Sequence, residues 1–210
     1  LAKVNFAEEE KVSIDELFEE LTEGEELSHR QQLRARWTRL ESIVGNPNRI
    51  QKIVEDLVAH YEARNSVLDG KAMIVCMSRR ICVEMYDAII KLRPNWHSDE
   101  DDKGIIKVIM TGSSSDELYM QPHVRNKERR KAIGERLKNP SNSLRLVIVR
   151  DMWLTGFDAP CLHTLYVDKP MRGHSLMQAI ARVNRVFTDD KRGGLVVDYH
   201  CSGIIKNCKK

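Results

Sequence analysis

Lys71-Ala72-Met73-Ile74-Val75-Cys76-Met77-Ser78-Arg79 is the stretch on which the fold turns. Its apolar run from Ala72 is unbroken, without the alternation that marks a strand with one wet face. It therefore reads as a strand buried on both sides, with a polar step at its carboxyl end. Four further runs of this texture follow, at Ile105–Met110, Leu144–Val149, Leu162–Val167 and Leu195–Val197. Helical segments are expected between them at 79–92, 124–138 and 174–187. Parallel neighbours need a long crossover, so the alternation predicts an α/β domain with a parallel sheet flanked by helices. Ligands of such a sheet collect at the carboxyl ends of its strands. Those ends read Ser78-Arg79-Arg80, Thr111-Gly112-Ser113-Ser114, Arg150-Asp151 and Asp168-Lys169.

Ahead of Gly70 the period is helical. Ile14, Leu17, Phe18 and Leu21 follow a Ser13 cap, and Leu33, Trp37, Leu40 and Val44 continue the stripe. Asn46-Pro47-Asn48 interrupts it and offers Asn48 as the cap of a helix carrying Ile50, Ile53, Val54, Leu57, Val58 and Tyr61. Residues 1–69 are thus expected to be a helical lead-in that packs or spaces, 70–200 the α/β lobe, and 201–210 a truncated tail fraying over Ile204–Lys210. With 210 residues, 41% of them hydrophobic, the chain is long enough for one such domain with a helical addition. It begins at Leu1, carries no basic leader and has no long apolar run. The expectation is a cytoplasmic fragment of a longer protein, with no membrane span.

Five cysteines without a C-x-x-C pair give neither a disulfide framework nor a zinc site. The net charge of +3 is unevenly spread: residues 1–26 hold two Lys and ten Asp or Glu, a net −8, which leaves +11 for the remainder. That balance suits contact with phosphate backbones and equally suits a solvated basic surface. Arg125–Lys131 reads as a solvated helical face. His163, His174 and His200 have no Cys or Asp at ligand spacing and read as structural.

The densest group of unusual residues runs from Arg150 to Phe187. In Thr155-Gly156-Phe157-Asp158-Ala159-Pro160 the glycine allows close approach of backbone to a ligand, Thr155 offers a hydroxyl to a phosphate, and Asp158 can accept from a sugar hydroxyl. In Gln178-Ala179-Ile180-Ala181-Arg182-Val183-Asn184-Arg185 the spacing of four and three brings Gln178, Arg182 and Arg185 to one helical face. The helix is apolar nearly all round, so arginines on it call for an anionic partner, and a forked guanidinium suits a triphosphate. The chain has no G-x-x-x-x-G-K-[ST] loop and no acidic strand end for magnesium; Asp151, followed by Trp153 and the glycine turn, does not supply one. A nucleotide site here would be half a site.

Lys71–Arg79, Leu146–Pro160, Tyr166-Val167-Asp168-Lys169-Pro170, Gln178–Phe187 and Val197-Asp198-Tyr199 together resemble the second RecA-like motor lobe of the restriction (R) subunit of type I restriction-modification enzymes. The match covers residues 70–200, with Trp153 and Cys161 as departures. The resemblance implies that ATP and Mg2+ are held mainly by a first lobe outside this chain. Arg185 and Arg182 would be catalytic arginine fingers, with Gln178, Gly156 and Asp158 binding nucleotide. Ser78, Arg79, Thr111, Gly112 and Thr155 would touch the DNA backbone. It further implies double-stranded DNA and the methyltransferase and specificity subunits as partners, and a parent that is an ATP-dependent endonuclease and translocase. The alternatives are the lobe of another superfamily 2 DNA helicase or remodeller, and a nucleic-acid-binding module that uses no nucleotide.

Overall fold

The computed structural model describes residues 29–114, 116–154, 156–171, 173–184 and 193–199, with backbone alone at 29–34, 173–175 and 182. The expected helices at 13–28 and the tail at 201–210 lie outside the described residues. Two helices open the chain, α1 (His29–Val44) and α2 (Pro47–Asn65), followed by β1 (Lys71–Cys76) and α3 (Arg79–Leu92). Then come β2 (Ile106–Ile109), α4 (Lys127–Lys138), β3 (Leu146–Val149), β4 (Leu162–Asp168), α5 (Gly173–Val183) and β5 (Leu195–Asp198). Short 3-10 turns sit at Pro94–Trp96 and Leu118–His123.

All five strands are parallel, in the order β2-β3-β1-β4-β5. Right-handed crossovers then dictate where the helices go. From β1 to β2 the chain travels one way along the sheet, so α3 covers the first face. From β2 onward every connection travels the other way, so α4, the β3–β4 link and α5 all fall on the second face. Side chains sort accordingly: Ala72, Ile74, Cys76, Ile148 and Tyr166 pack with α2 and α3, whereas Met73, Val75, Val149, Leu165 and Val167 pack with α4 and α5.

On the first face α3 alone would leave β4 and β5 bare. Helix α2 fills that space, burying Ile50, Ile53, Val54, Leu57, Val58 and Tyr61 in the same core. Its polar side chains reach the sheet as well: His60 Nδ1 lies 2.8 Å from the Tyr166 hydroxyl, and the Tyr199 hydroxyl donates to Asp56 at 2.7 Å. The expected cap is corrected here. Asn46, not Asn48, caps α2, its side-chain oxygen accepting from Asn48 N at 2.9 Å and Arg49 N at 3.4 Å, because Pro47 needs no hydrogen bond at the first helical position. Trp37 also departs from the expected stripe: it is 41% exposed, and α1 meets the core through Val44 and Leu40.

At the amino edge, close approach replaces side chains. A Cβ on Gly70 would strike the His163 ring, so the chain enters β1 against that imidazole. Lys71 is fully buried, and burial lowers its amine to about 8. Its Nζ donates to the Arg136, Asn139 and Asn142 carbonyls at 2.9, 2.6 and 3.4 Å, closing the carboxyl end of α4.

Candidate functional site

Parallel order brings the carboxyl ends of all five strands to one edge, and the segments that carry the sequence-predicted residues leave from it. Ser78 ends the β1 step and caps α3, its hydroxyl oxygen accepting from Ile81 N at 3.3 Å. Arg79 turns across the edge toward β2: Nη1 donates to the Thr111 carbonyl at 2.8 Å and to Asp116 Oδ2 at 2.9 Å, and Nη2 pairs with Asp116 Oδ1. The same carboxylate accepts from Ser113 N at 2.7 Å. Thr111 and Gly112 are exposed beside this pair. Gly112 is required to be small, since a Cβ there would come within 2.9 Å of Val124 Cγ1.

Between β3 and β4 the chain must cross over β1, and it does so without a helix. Buried Leu154 and Ala159 pin this link to the second face. Two residues in it have left-handed backbone: Gly156 at φ +68 and Trp153 at φ +65. Gly156 is exposed, and a Cβ built on it meets nothing within 4 Å, so the backbone borders open space. Trp153 bears a conformation that costs a non-glycine residue about 1–3 kcal/mol. Its ring stacks on Phe157, with centroids 4.4 Å apart and planes at 9°, and the pair rests against Gly134 of α4. Asp158 is exposed at the same turn. Thr155 lies outside the described residues.

Helix α5 follows β4 and packs on the second face through Ala179 and Val183. Gln178 and position 182 both fall within it, one turn apart. The Arg182 side chain and all of Arg185 lie outside the described residues. The expectation that this helix is apolar all round is corrected: Met177 is 62% exposed and Ala181 is exposed. The helix buries a single stripe, so burial does not by itself demand an anion for its arginines. Its end is tied to β5 by the Asn184 side chain, which accepts from Gly194 N at 3.1 Å.

Two residues of this edge gave no sequence signal. Arg49, on α2, donates to Asp168 Oδ1 and Oδ2 at 2.5 and 3.1 Å, to the Val44 carbonyl at 2.9 Å and to the Tyr199 carbonyl at 3.3 Å. It fastens the α1–α2 joint to the ends of β4 and β5. Asp116, in what reads from sequence as a short polar loop, holds Arg79. Elsewhere the Lys169 amine meets the Asp151 carboxylate, with Arg150 Nε 3.1 Å from it. The basic segment 125–131 is mostly an exposed helical face, as expected, apart from Arg125, which is buried; Asp101 takes both Arg125 Nε at 2.6 Å and Arg129 Nε at 2.5 Å. His163 is buried, with Nδ1 2.7 Å from Thr164 Oγ1. Among the described residues no group of three or more His, Cys, Asp or Glu could hold a metal ion, and no helix is long and apolar enough to cross a membrane.

Comparison with known proteins adds the following. A family model for type I restriction enzyme subunit R domain 3 matches residues 116–201. The type I restriction enzyme HindI endonuclease subunit of Haemophilus influenzae is 54% identical over 161 residues, 76% of this chain and 15% of that protein. A Methanocaldococcus jannaschii protein described as the type I restriction enzyme MjaIXP endonuclease subunit is 41% identical over 189 residues, covering 89% of this chain and 17% of its own length. The chain thus spans about a sixth of the curated relatives it matches. Among solved structures, the fragment of an HsdR subunit of a type I restriction enzyme from Vibrio vulnificus superposes with a TM-score of 0.58 at 15% identity, over 82% of this chain and 30% of that one. T4 UvsW does so with a TM-score of 0.50 at 14% identity, over 88% and 30%. At these identities the structural likeness speaks for the fold alone.

Proposed function

This chain belongs to the R (endonuclease) subunit family of type I restriction enzymes and corresponds to its RecA-like C-terminal motor lobe, and from that premise we propose that it is one half of an ATP-driven machine that moves double-stranded DNA. The observation that carries the reading is the shared edge. The Arg79–Thr111 group stands at the carboxyl ends of β1 and β2, the link bearing the open glycine turn leaves the carboxyl end of β3, and the helix bearing Gln178 follows the carboxyl end of β4, the edge where such folds bind ligands.

The fit to a nucleotide is a fit to half of one. Gly156 offers backbone bordered by open space, Asp158 an exposed carboxylate, and Gln178 an amide one helical turn before Arg182. Those groups would hold ATP against a first lobe. Mg2+ would be held mainly by that first lobe. Bound ATP supplies a transferable phosphoryl group. The part left to this chain is positional: Gln178, Gly156 and Asp158 bind and orient, while Arg182 and Arg185 place permanent positive charge where negative charge accumulates. On the β1–β2 side, Ser78, Arg79, Thr111 and Gly112, with Thr155, would grip backbone phosphates without reading bases. Alternating closure and release of the lobes would then carry the duplex along. Cleavage, the methyltransferase core and site recognition by a specificity subunit belong to other parts of the parent assembly.

In the intact R subunit bearing this lobe, Arg185→Ala is expected to lower DNA-stimulated ATP turnover by roughly 10³ to 10⁵ while ATP binding stays measurable. Turnover equal to wild type would refute the arginine-finger assignment.

A further inference from the structure

We propose that Asp116 is a positioning residue for the DNA backbone: its carboxylate, itself held by the Ser113 amide, sets the plane of the Arg79 guanidinium so that the remaining N–H groups of the fork meet a phosphate. The inference rests on the reading of this edge as the DNA track and adds to it a residue of the opposite charge.

The geometry is specific. Both Asp116 oxygens are engaged, Oδ1 by Arg79 Nη2 and Oδ2 by Arg79 Nη1 at 2.9 Å and by Ser113 N at 2.7 Å. The Asp116 side chain is 1% exposed, whereas that of Arg79 keeps 26% of its surface accessible. A guanidinium carries five N–H groups in a rigid fork. The contacts to Asp116 and the Thr111 carbonyl engage Nη1 twice and Nη2 once, which leaves the Nε side of the fork for an anion. A phosphate does not displace the carboxylate, because doing so would strand the charge of a side chain only 1% exposed. It adds to the accessible side, beside exposed Thr111 and Gly112.

Charge alone makes the opposite prediction. Removing a carboxylate beside a DNA track reduces repulsion and should tighten binding. If Asp116 positions Arg79, its loss weakens binding and removes one phosphate contact from the salt dependence, whose slope is about −0.9 per phosphate neutralised.

The test is fluorescence anisotropy of the full chain with a non-specific labelled duplex, titrated between 50 and 200 mM salt, values at which such slopes are commonly resolved. Asp116→Asn is expected to weaken binding roughly tenfold and to make the slope shallower by about one. Glu117→Gln removes the same charge from an exposed neighbour and should leave the slope unchanged. Asp116→Asn in an Arg79→Gln background should lower the slope no further. Binding by Asp116→Asn that is as tight as wild type or tighter, at an unchanged slope, overturns the proposal. Should Asp116→Asn fail to fold by circular dichroism, Asp116→Glu takes its place: it keeps the charge, lengthens the side chain and is expected to match Arg79→Gln in slope, a wild-type slope being the contrary result. If the wild-type chain and Arg79→Gln give the same slope, the DNA-track reading fails, whatever Asp116 does.

Discussion

Arg49 and Asp168 stand 119 positions apart, yet the guanidinium fork meets the carboxylate at 2.5 and 3.1 Å with Asp168 only 1% exposed. Such a pair is weak evidence of stability as a unit, but removing one partner strands the other charge away from water. Arg49→Ala is therefore expected to destabilise the fold by about 3–5 kcal/mol, read as a lowered urea midpoint at unchanged m-value. Asp168→Asn, which keeps the shape and leaves Arg49 its carbonyl acceptors, should cost less. Neither position advertises the pairing. Asp168 stands in a quotable motif, whereas Arg49 sits in a helix whose sequence shows only an apolar stripe, and nothing local links the two.

At the scale of the element, strands were the most legible part. Predominantly apolar runs located all five, because a sheet covered on both faces admits few polar residues, with Lys107, His163 and Thr164 as buried exceptions. Helix ends were less so. Asn46-Pro47-Asn48 presents two asparagines either side of a proline, and the structure selects the first. The choice has a measurable consequence: Asn46→Ala should lower the melting temperature by the equivalent of about 1 kcal/mol, and Asn48→Ala by much less. The motif helix α5 begins where expected but ends at Val183, short of the expected 187, and its burial differs too, since Met177 and Ala181 face solvent. Composition tells how apolar a helix is and not how many neighbours it has. The candidate site was legible where a motif lies on one element, as at Gly156 to Asp158. It was not where a residue is recruited from elsewhere, as with Asp116, whose role exists only once Arg79 has reached across from the next strand end.

For the molecule as a whole, half-buried imidazoles set the acid limb of stability. His123 packs its ring 4.7 Å from that of Tyr86, and burial, with Arg125, His97 and Lys107 nearby, lowers it to about 4. His60 is lowered by burial as well. Unfolded histidines take a proton near 6.5, so between that value and 4 the unfolded chain binds protons the native one refuses. Stability from these groups is complete above pH 6.5 and declines toward pH 4, by at most about 1.4 kcal/mol per pH unit for each imidazole. Urea titrations across that range should show the decline, and His123→Phe, which keeps a ring against Tyr86, should flatten it; an unchanged slope would contradict the assignment.

Helix α2, which completes the first face, has a consequence for the order of events during synthesis. It leaves the ribosome more than a hundred residues ahead of its partners Tyr166, Asp168 and Tyr199. Until β4 and β5 arrive, its apolar stripe has no sheet to lie on, and closing so long a loop is what slows folding in chains rich in distant contacts. While the lobe is being made, the stripe of α2 thus waits for β4 and β5, and the arrival of those strands closes the first face.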